Sequence, residues 1–235
     1  MSAAGTGRDA YDGKWRLSLG VQVIGLLRSQ EFKPEGANGY TINVNSPGAH
    51  VFARVTHKSG KLEYGLLAGG LLTFANGGVD AGAENLAWQE LIVDGRVLVG
   101  YHVSDGYLIS LRAGYRLQKI DIDPSGTVGQ PSETLGGVAV GAEALIYGWS
   151  PKLEVRLGAE ALVAASLTQS EDYANGDASV TPIIAFVDIG YALTPSLQAL
   201  GSYQLGYESY SFTGVPNSTR TDLQHTFSLG VAYWF

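Results

Sequence analysis

The chain has 235 residues, 45% hydrophobic and only 16% charged, with a net charge of −7 and pI near 5.0. The acidic balance and the lack of any basic run argue against a nucleic-acid partner. The absence of cysteine excludes a disulfide framework, a thiolate metal site and a cysteine nucleophile.

Residues 1–13 show no apolar periodicity and read as a flexible tail. MSAAGTGRDAYDGKW lacks the basic start and apolar core of a signal peptide. No run of 18 apolar residues could form a transmembrane helix. From residue 14 to 235 the dominant pattern is period two, which places alternate side chains on opposite faces of a strand. It begins with WRLSLGVQV (15–23) and recurs at 49–56, 62–74, 91–102, 107–118, 137–147, 153–167, 183–193, 197–208 and 223–235. These segments are mostly longer than the 5–6 residues usual in globular sheets.

The connections alternate in length. Residues 57–61, 104–107, 148–152 and 194–196 are short, whereas 28–48, 75–87, 121–134, 168–179 and 209–222 are long and polar. Strict alternation fits a single antiparallel barrel with every short turn at one end. One face of each segment is apolar and uncharged, as in Leu17, Leu19, Val21 and Val23. The other face carries the charges: Arg16, Arg54, Glu63, Asp94, Arg96, Arg112, Arg116, Glu143, Glu154, Arg156, Glu160, Asp188 and Glu208. Aromatics cluster at the two ends of the apolar face, with Trp15, Tyr101, Tyr107, Tyr191 and Tyr233 at the short-turn end. Phe74, Trp88, Tyr115, Tyr207 and Phe227 lie toward the other end. Two aromatic girdles around an aliphatic band mark the two interfaces of a bilayer. The expected fold is therefore all-β, a ten-stranded antiparallel up-and-down transmembrane barrel, with its charges facing the lumen.

The closing segment FSLGVAYWF, with Phe227, Leu229, Val231, Tyr233 and the final Phe235, resembles the C-terminal signal of Gram-negative outer-membrane β-barrel proteins. The resemblance covers residues 14–235. It implies short periplasmic turns, longer extracellular loops and insertion by the outer-membrane assembly machinery. It also implies lipid and lipopolysaccharide as surroundings, envelope proteins as partners, and a cleaved secretion signal with Met1 added to a mature chain.

The inward charges suit a bidentate Arg–carboxylate network that fills a narrow lumen, or a selectivity lining. Phe52, Leu67, Leu71, Ile92, Leu162, Ile184 and Phe186 also point inward and could form an outward-open apolar cup for a ligand. Pro182 either marks the start of the strand at Ile183 or weakens a seam through which an apolar solute leaves into the lipid. His50 or His225, beside Asp222 or Glu208, could imitate the rim His and Asp of omptin-type outer-membrane proteases. The long loops are acidic (Asp80, Glu84, Asp121, Asp123, Glu133, Glu171, Asp172, Asp177, Asp222) and could bridge to lipopolysaccharide through divalent ions. DIDPSG at 121–126 lacks the ligand series of a calcium loop. No catalytic residue, metal or cofactor is assigned. The functional reading is a non-enzymatic barrel that acts through surface loops or within an envelope assembly. The alternatives are a narrow channel for small, apolar solutes and, last, a rim enzyme.

Overall fold

The computed structural model describes residues 12–36, 39–76, 79–80, 87–122, 132–170, 177–213 and 217–235. Ten long strands form the wall: β1 (Trp15–Pro34), β2 (Tyr40–Ser59), β3 (Leu62–Asn76), β5 (Ala87–Ser104), β6 (Tyr107–Ile122), β7 (Glu133–Ser150), β8 (Leu153–Gln169), β9 (Asp177–Ala192), β10 (Leu197–Thr213) and β11 (Ser218–Trp234). The two-residue β4 (Val79–Asp80) pairs with Val44 and Asn43 of β2. Each wall strand pairs antiparallel with its chain neighbour, and β1 pairs with β11, so the sheet closes on itself. Closure removes the free edges that an open sheet would leave.

The last strand completes the ladder from Ser18↔Trp234 to Pro34↔Ser218. The Phe235 amide donates to the Leu17 carbonyl at 2.9 Å. At the other end of the chain, Asp12 and Gly13 are held against the β2–β3 turn: Gly13 N donates to Lys58 O, and Gly60 N donates to Asp12 Oδ1. Residues 1–11 of the expected tail lie outside the described residues.

The apolar face points outward. Val23, Leu111, Leu229 and Phe235 are each at least 66% exposed. On β1 the exposed apolar band runs from Leu17 to Leu27 and then gives way to Ser29, Glu31 and Lys33. At about 3.3 Å per residue and a tilt of roughly 40°, such a band stands about 25 Å tall, the height of the lipid-facing zone of outer-membrane barrels.

The strands overrun the lengths expected from the sequence. Most of 28–48 and 209–222, expected as loop, is strand. By the same rise, the wall projects roughly 15–20 Å beyond the apolar band. Two further expectations are corrected. Trp88 is not in a lipid-facing girdle; it is buried in the lumen with Ile42, Val44, Ala75, Ile120 and Ile122. Glu133 and Asp222 are not loop acids but buried lumen residues. Asp121 is exposed and bonded to Lys119 at 2.7 Å, whereas Glu84, Asp123, Glu171, Asp172 and most of the DIDPSG loop lie outside the described residues.

β9 does not start at Ile183 but runs through Pro182. Its ladder to β10 continues past the proline (Pro182↔Glu208), whereas its ladder to β8 stops one residue short, at Ala161↔Ile183. Pro47 sits at an equivalent point: β2 pairs with β1 through Pro47↔Gly25, but its ladder to β3 ends at Gly48↔Thr73. Proline has no amide proton for a ladder, so each one stands where a strand has a partner on one side only.

Candidate functional site

The lumen holds the charges, and strand order sets their depth. From the short-turn end outward, the inward side chains of β1 are Arg16, Ser18, Gln22, Ile24, Leu26, Arg28 and Gln30. On β5 they are Leu98, Arg96, Asp94, Ile92, Glu90 and Trp88. Both strands therefore pass from an ionic layer through an apolar belt to a second polar layer.

The lower layer centres on Glu143 and Glu160. Arg96 grips Glu160 with Nη2 and Nε at 2.8 and 3.2 Å, Arg112 Nε lies 3.2 Å from it, and Arg116 stands at 4.0 Å. Glu143 faces Arg54, Arg112 and Arg156 at 3.5, 3.4 and 3.7 Å. Arg156 also reaches Asp188 at 3.4 Å, and Arg96 lies 3.9 Å from Asp94. Each central carboxylate thus serves three guanidiniums, and Arg112 joins the two sets. Below them, Arg16 stacks on Trp234 at 4.1 Å, Glu154 accepts from Gln198 at 3.2 Å, and His102 bridges Glu63 and Tyr147 at 3.1 and 2.9 Å. Arg54, Asp94, Arg112, Arg116, Glu143, Glu154, Arg156, Glu160 and Asp188 line one cavity, and Arg16, Glu63 and Arg96 are buried.

The apolar residues expected to form a cup divide into smaller groups. Leu71 and Ile92 pack with Ile24, and Leu162 and Ile184 pack with Ala139. Phe52, Leu67, Ile184 and Phe186 line a cavity of about 150 Å³ together with lower-layer charges and the His50–Gln22 pair, bonded at 2.8 Å. Large rings fit in so narrow a barrel because a glycine faces them. A Cβ on Gly158 would lie 2.3 Å from Phe186 Cζ, and one on Gly20 would lie 2.2 Å from Phe52 Cζ.

This belt is not an outward-open cup, because a second ionic layer covers it. Arg28 donates to Glu90 at 3.2 Å and to Gln224 at 2.8 Å, while Gln118 donates to Glu90 at 2.9 Å. Arg220 pairs bidentately with Glu133, lies 3.1 Å from Asp222 and stacks on the Tyr210 ring at 3.8 Å. Gln30 bonds Asp222, and Tyr210 donates to Glu208 at 2.6 Å. Arg220, Tyr210, Phe212, Gln30, Glu90 and Asp222 are all under 2% exposed. The sequence reading missed Arg28, Gln30, Glu90, Glu133 and Arg220 as lumen groups. Extending each strand's inward parity, even on β1, β5 and β11 and odd on β7, past its last apolar residue would have found all five, because the bulge in the β7–β8 pairing lies on β8, at Ala164 and Ala165.

The expected rim histidines do not meet Asp222 or Glu208. His225 lies on the outer face, bonded to the Tyr203 hydroxyl at 2.8 Å, while Asp222 and Glu208 are buried in the lumen. His50 sits at mid-barrel beside Gln22. Among the described residues no cluster of histidine and carboxylates is arranged to hold a metal ion.

No protein-family model and no curated protein sequence matches the chain. Solved structures do. The outer-membrane protease OmpT from Escherichia coli is 9% identical with a TM-score of 0.55, over 94% of this chain and 97% of that one. The translocator domain of the autotransporter NalP from Neisseria meningitidis is 13% identical with a TM-score of 0.46, over 91% and 88%. OprG from Pseudomonas aeruginosa is 11% identical with a TM-score of 0.43, over 96% and 97%. The likeness is one of fold: the chain has the architecture of an outer-membrane β-barrel.

Proposed function

We propose that the chain is a non-enzymatic barrel of the Gram-negative outer membrane, with a filled lumen, that acts through its protruding outer wall within an envelope assembly. The observation that carries this reading is the stacking of mutually paired side chains along the lumen. The Arg16–Trp234 stack, the Glu143–Glu160 network and the Arg28–Glu90 and Arg220–Glu133 pairs occupy successive depths. A selectivity lining leaves cations or anions unpaired along a water path, whereas these charges face one another. In this reading lipid and lipopolysaccharide surround the band from Leu17 to Leu27, and Phe227, Leu229, Val231, Tyr233 and Phe235 form the strand that the assembly machinery reads.

Two features support a non-enzymatic role. His225 and the acids Asp222 and Glu208 lie on opposite faces of the wall, and His50 is engaged with Gln22. The test is planar-bilayer recording of the purified barrel. A filled lumen gives no reproducible conductance steps. Steady, uniform steps that scale with salt would overturn the reading in favour of a channel.

A further inference from the structure

Two of the short turns repeat one pattern. SGKLE at 59–63 leads into β3, and SPKLE at 150–154 leads into β8. In each, the leucine is the ladder partner of a girdle tyrosine, Leu62↔Tyr101 and Leu153↔Tyr191. Each glutamate turns into the lumen, Glu63 to His102 and Glu154 to Gln198. Each lysine reaches over the girdle tyrosine: Lys61 Nζ lies 5.9 Å from the centre of the Tyr101 ring, and Lys152 Nζ lies 5.9 Å from that of Tyr191. Both distances fall within the range of a cation–π contact.

Strand parity alone would send the two lysines inward with the glutamates. The ring contacts show that they lean outward instead, as long amphipathic side chains do at an interface. Tyr101 and Tyr191 are 48% and 46% exposed on the lipid face, so each ammonium stands at the edge of the lipid band. Among the described residues, neither Lys61 nor Lys152 pairs with a carboxylate. At the opposite end Lys33 and Lys119 do, with Glu31 at 2.9 Å and Asp121 at 2.7 Å.

The first of the two turns has a second cation beside it. Gly13 N donates to Lys58 O at 2.8 Å, and Gly60 N donates to Asp12 Oδ1 at 2.9 Å. These bonds hold the start of β1, with the exposed Lys14, against the turn that carries Lys61. Trp15 follows on the lipid face and stacks on His57 at 4.8 Å. Around this end of the barrel, Lys14, Lys58, Lys61 and Lys152 outnumber Asp12 and Asp105, the described acids of its turns.

We propose that the two turns are headgroup sites for anionic phospholipid in the leaflet at the short-turn end. One site is built by Lys14, Lys61 and Tyr101, the other by Lys152 and Tyr191. The phosphate accepts hydrogen bonds from the ammonium and from the tyrosine hydroxyl, while the acyl chains lie along the apolar wall below. A zwitterionic lipid brings its own cation to balance the phosphate, whereas a lipid of net negative charge does not. Lysines without a carboxylate partner therefore select the anionic lipid. This proposal rests on the membrane placement of the barrel and is independent of whether the lumen conducts.

The lipid-facing tryptophans report on each site. Trp149→Phe leaves Trp15 as the reporter beside Lys14, and Trp15→Phe leaves Trp149 as the reporter just before the turn that carries Lys152. The full chain is inserted at low salt into phosphatidylcholine vesicles that contain either brominated phosphatidylglycerol or brominated phosphatidylcholine. At about fivefold per lysine, phosphatidylglycerol should be preferred on the order of twentyfold at Trp15 and about fivefold at Trp149. Both preferences should shrink as salt is raised. Lys14→Gln with Lys61→Gln should abolish the preference at Trp15 and leave that at Trp149, and Lys152→Gln should do the converse. Equal quenching by the two lipids would overturn the proposal. So would a preference that survives the substitutions, or one that falls at both tryptophans together, the mark of a diffuse surface charge. Quenching by brominated phosphatidylcholine reports insertion alone, so its absence at both tryptophans would overturn the membrane placement and the proposal with it.

Discussion

Glu160→Gln isolates the lower ionic layer. The carboxylate receives two hydrogen bonds from Arg96 and faces Arg112 at 3.2 Å and Arg116 at 4.0 Å. A glutamine keeps one acceptor and turns an NH₂ group toward donors. At least one charge-assisted bond is lost, and three guanidiniums remain buried around a neutral side chain. Hydrogen bonds to charged groups contribute about 1.5–3 kcal/mol each, and removing one partner of a buried ion pair costs about 3–5 kcal/mol. The adjoining cavity of about 150 Å³ has room for water, which places the expected loss at the low end of that range. Urea unfolding in lipid vesicles, followed by tryptophan fluorescence, reads the change. With a slope of about 2 kcal/mol per molar, the midpoint should fall by on the order of 1.5 M. Glu31→Gln, which removes an exposed pair with Lys33, should cost at most about 1 kcal/mol. A Glu160→Gln midpoint that moved no more than that of Glu31→Gln would refute the reasoning, because the network would then be solvated rather than structural.

Gly158→Ala should destabilise the barrel by about 1–3 kcal/mol, because the new methyl meets Phe186 and also lies 2.8 Å from the Ala142 carbonyl. Phe186→Leu in the same chain should recover only part of the loss, and an unchanged unfolding midpoint for Gly158→Ala would show that the ring is not held there. Single-tryptophan variants in brominated lipid should show strong quenching at Trp15 and Trp149, each 65% exposed, and little at Trp88, 2% exposed. Equal quenching at Trp88 and Trp15 would place the outer part of β5 the other way round.

The membrane-spanning half was legible because lipid is a strict filter. A charge on the lipid face at mid-bilayer costs about 2–4 kcal/mol, so segments such as WRLSLGVQV keep clean alternation and parity assigns every lumen charge. Above the bilayer the filter is gone. Arg28 and Gln30 face the lumen while Ser29 and Glu31 face water, so both faces are polar and the strand reads as loop although its ladder continues. Trp88 misled for a related reason: an aromatic near a strand end suits a girdle or a core equally well, and only the register with Ile122 places it inside. The bulge at Ala164 and Ala165 left no trace, because a run of small residues has no preferred face. The apolar inward residues were correctly faced but wrongly exposed, since the side chains that cover them come from segments read as loop.

The seam between β1 and β11 also dictates when the barrel can form. The Arg28–Gln224 hydrogen bond joins residues 196 apart in sequence, and the ladder beside it ties the first wall strand to the last. Such long-range pairing is entropically late and slow. Until the final strand arrives, every shorter portion of the wall must present two open edges, each a template for pairing with another chain. Those edges stay open until residue 218 and beyond are available. The yield of refolded barrel should therefore fall as chain concentration rises, more steeply than the stability of the finished barrel would suggest.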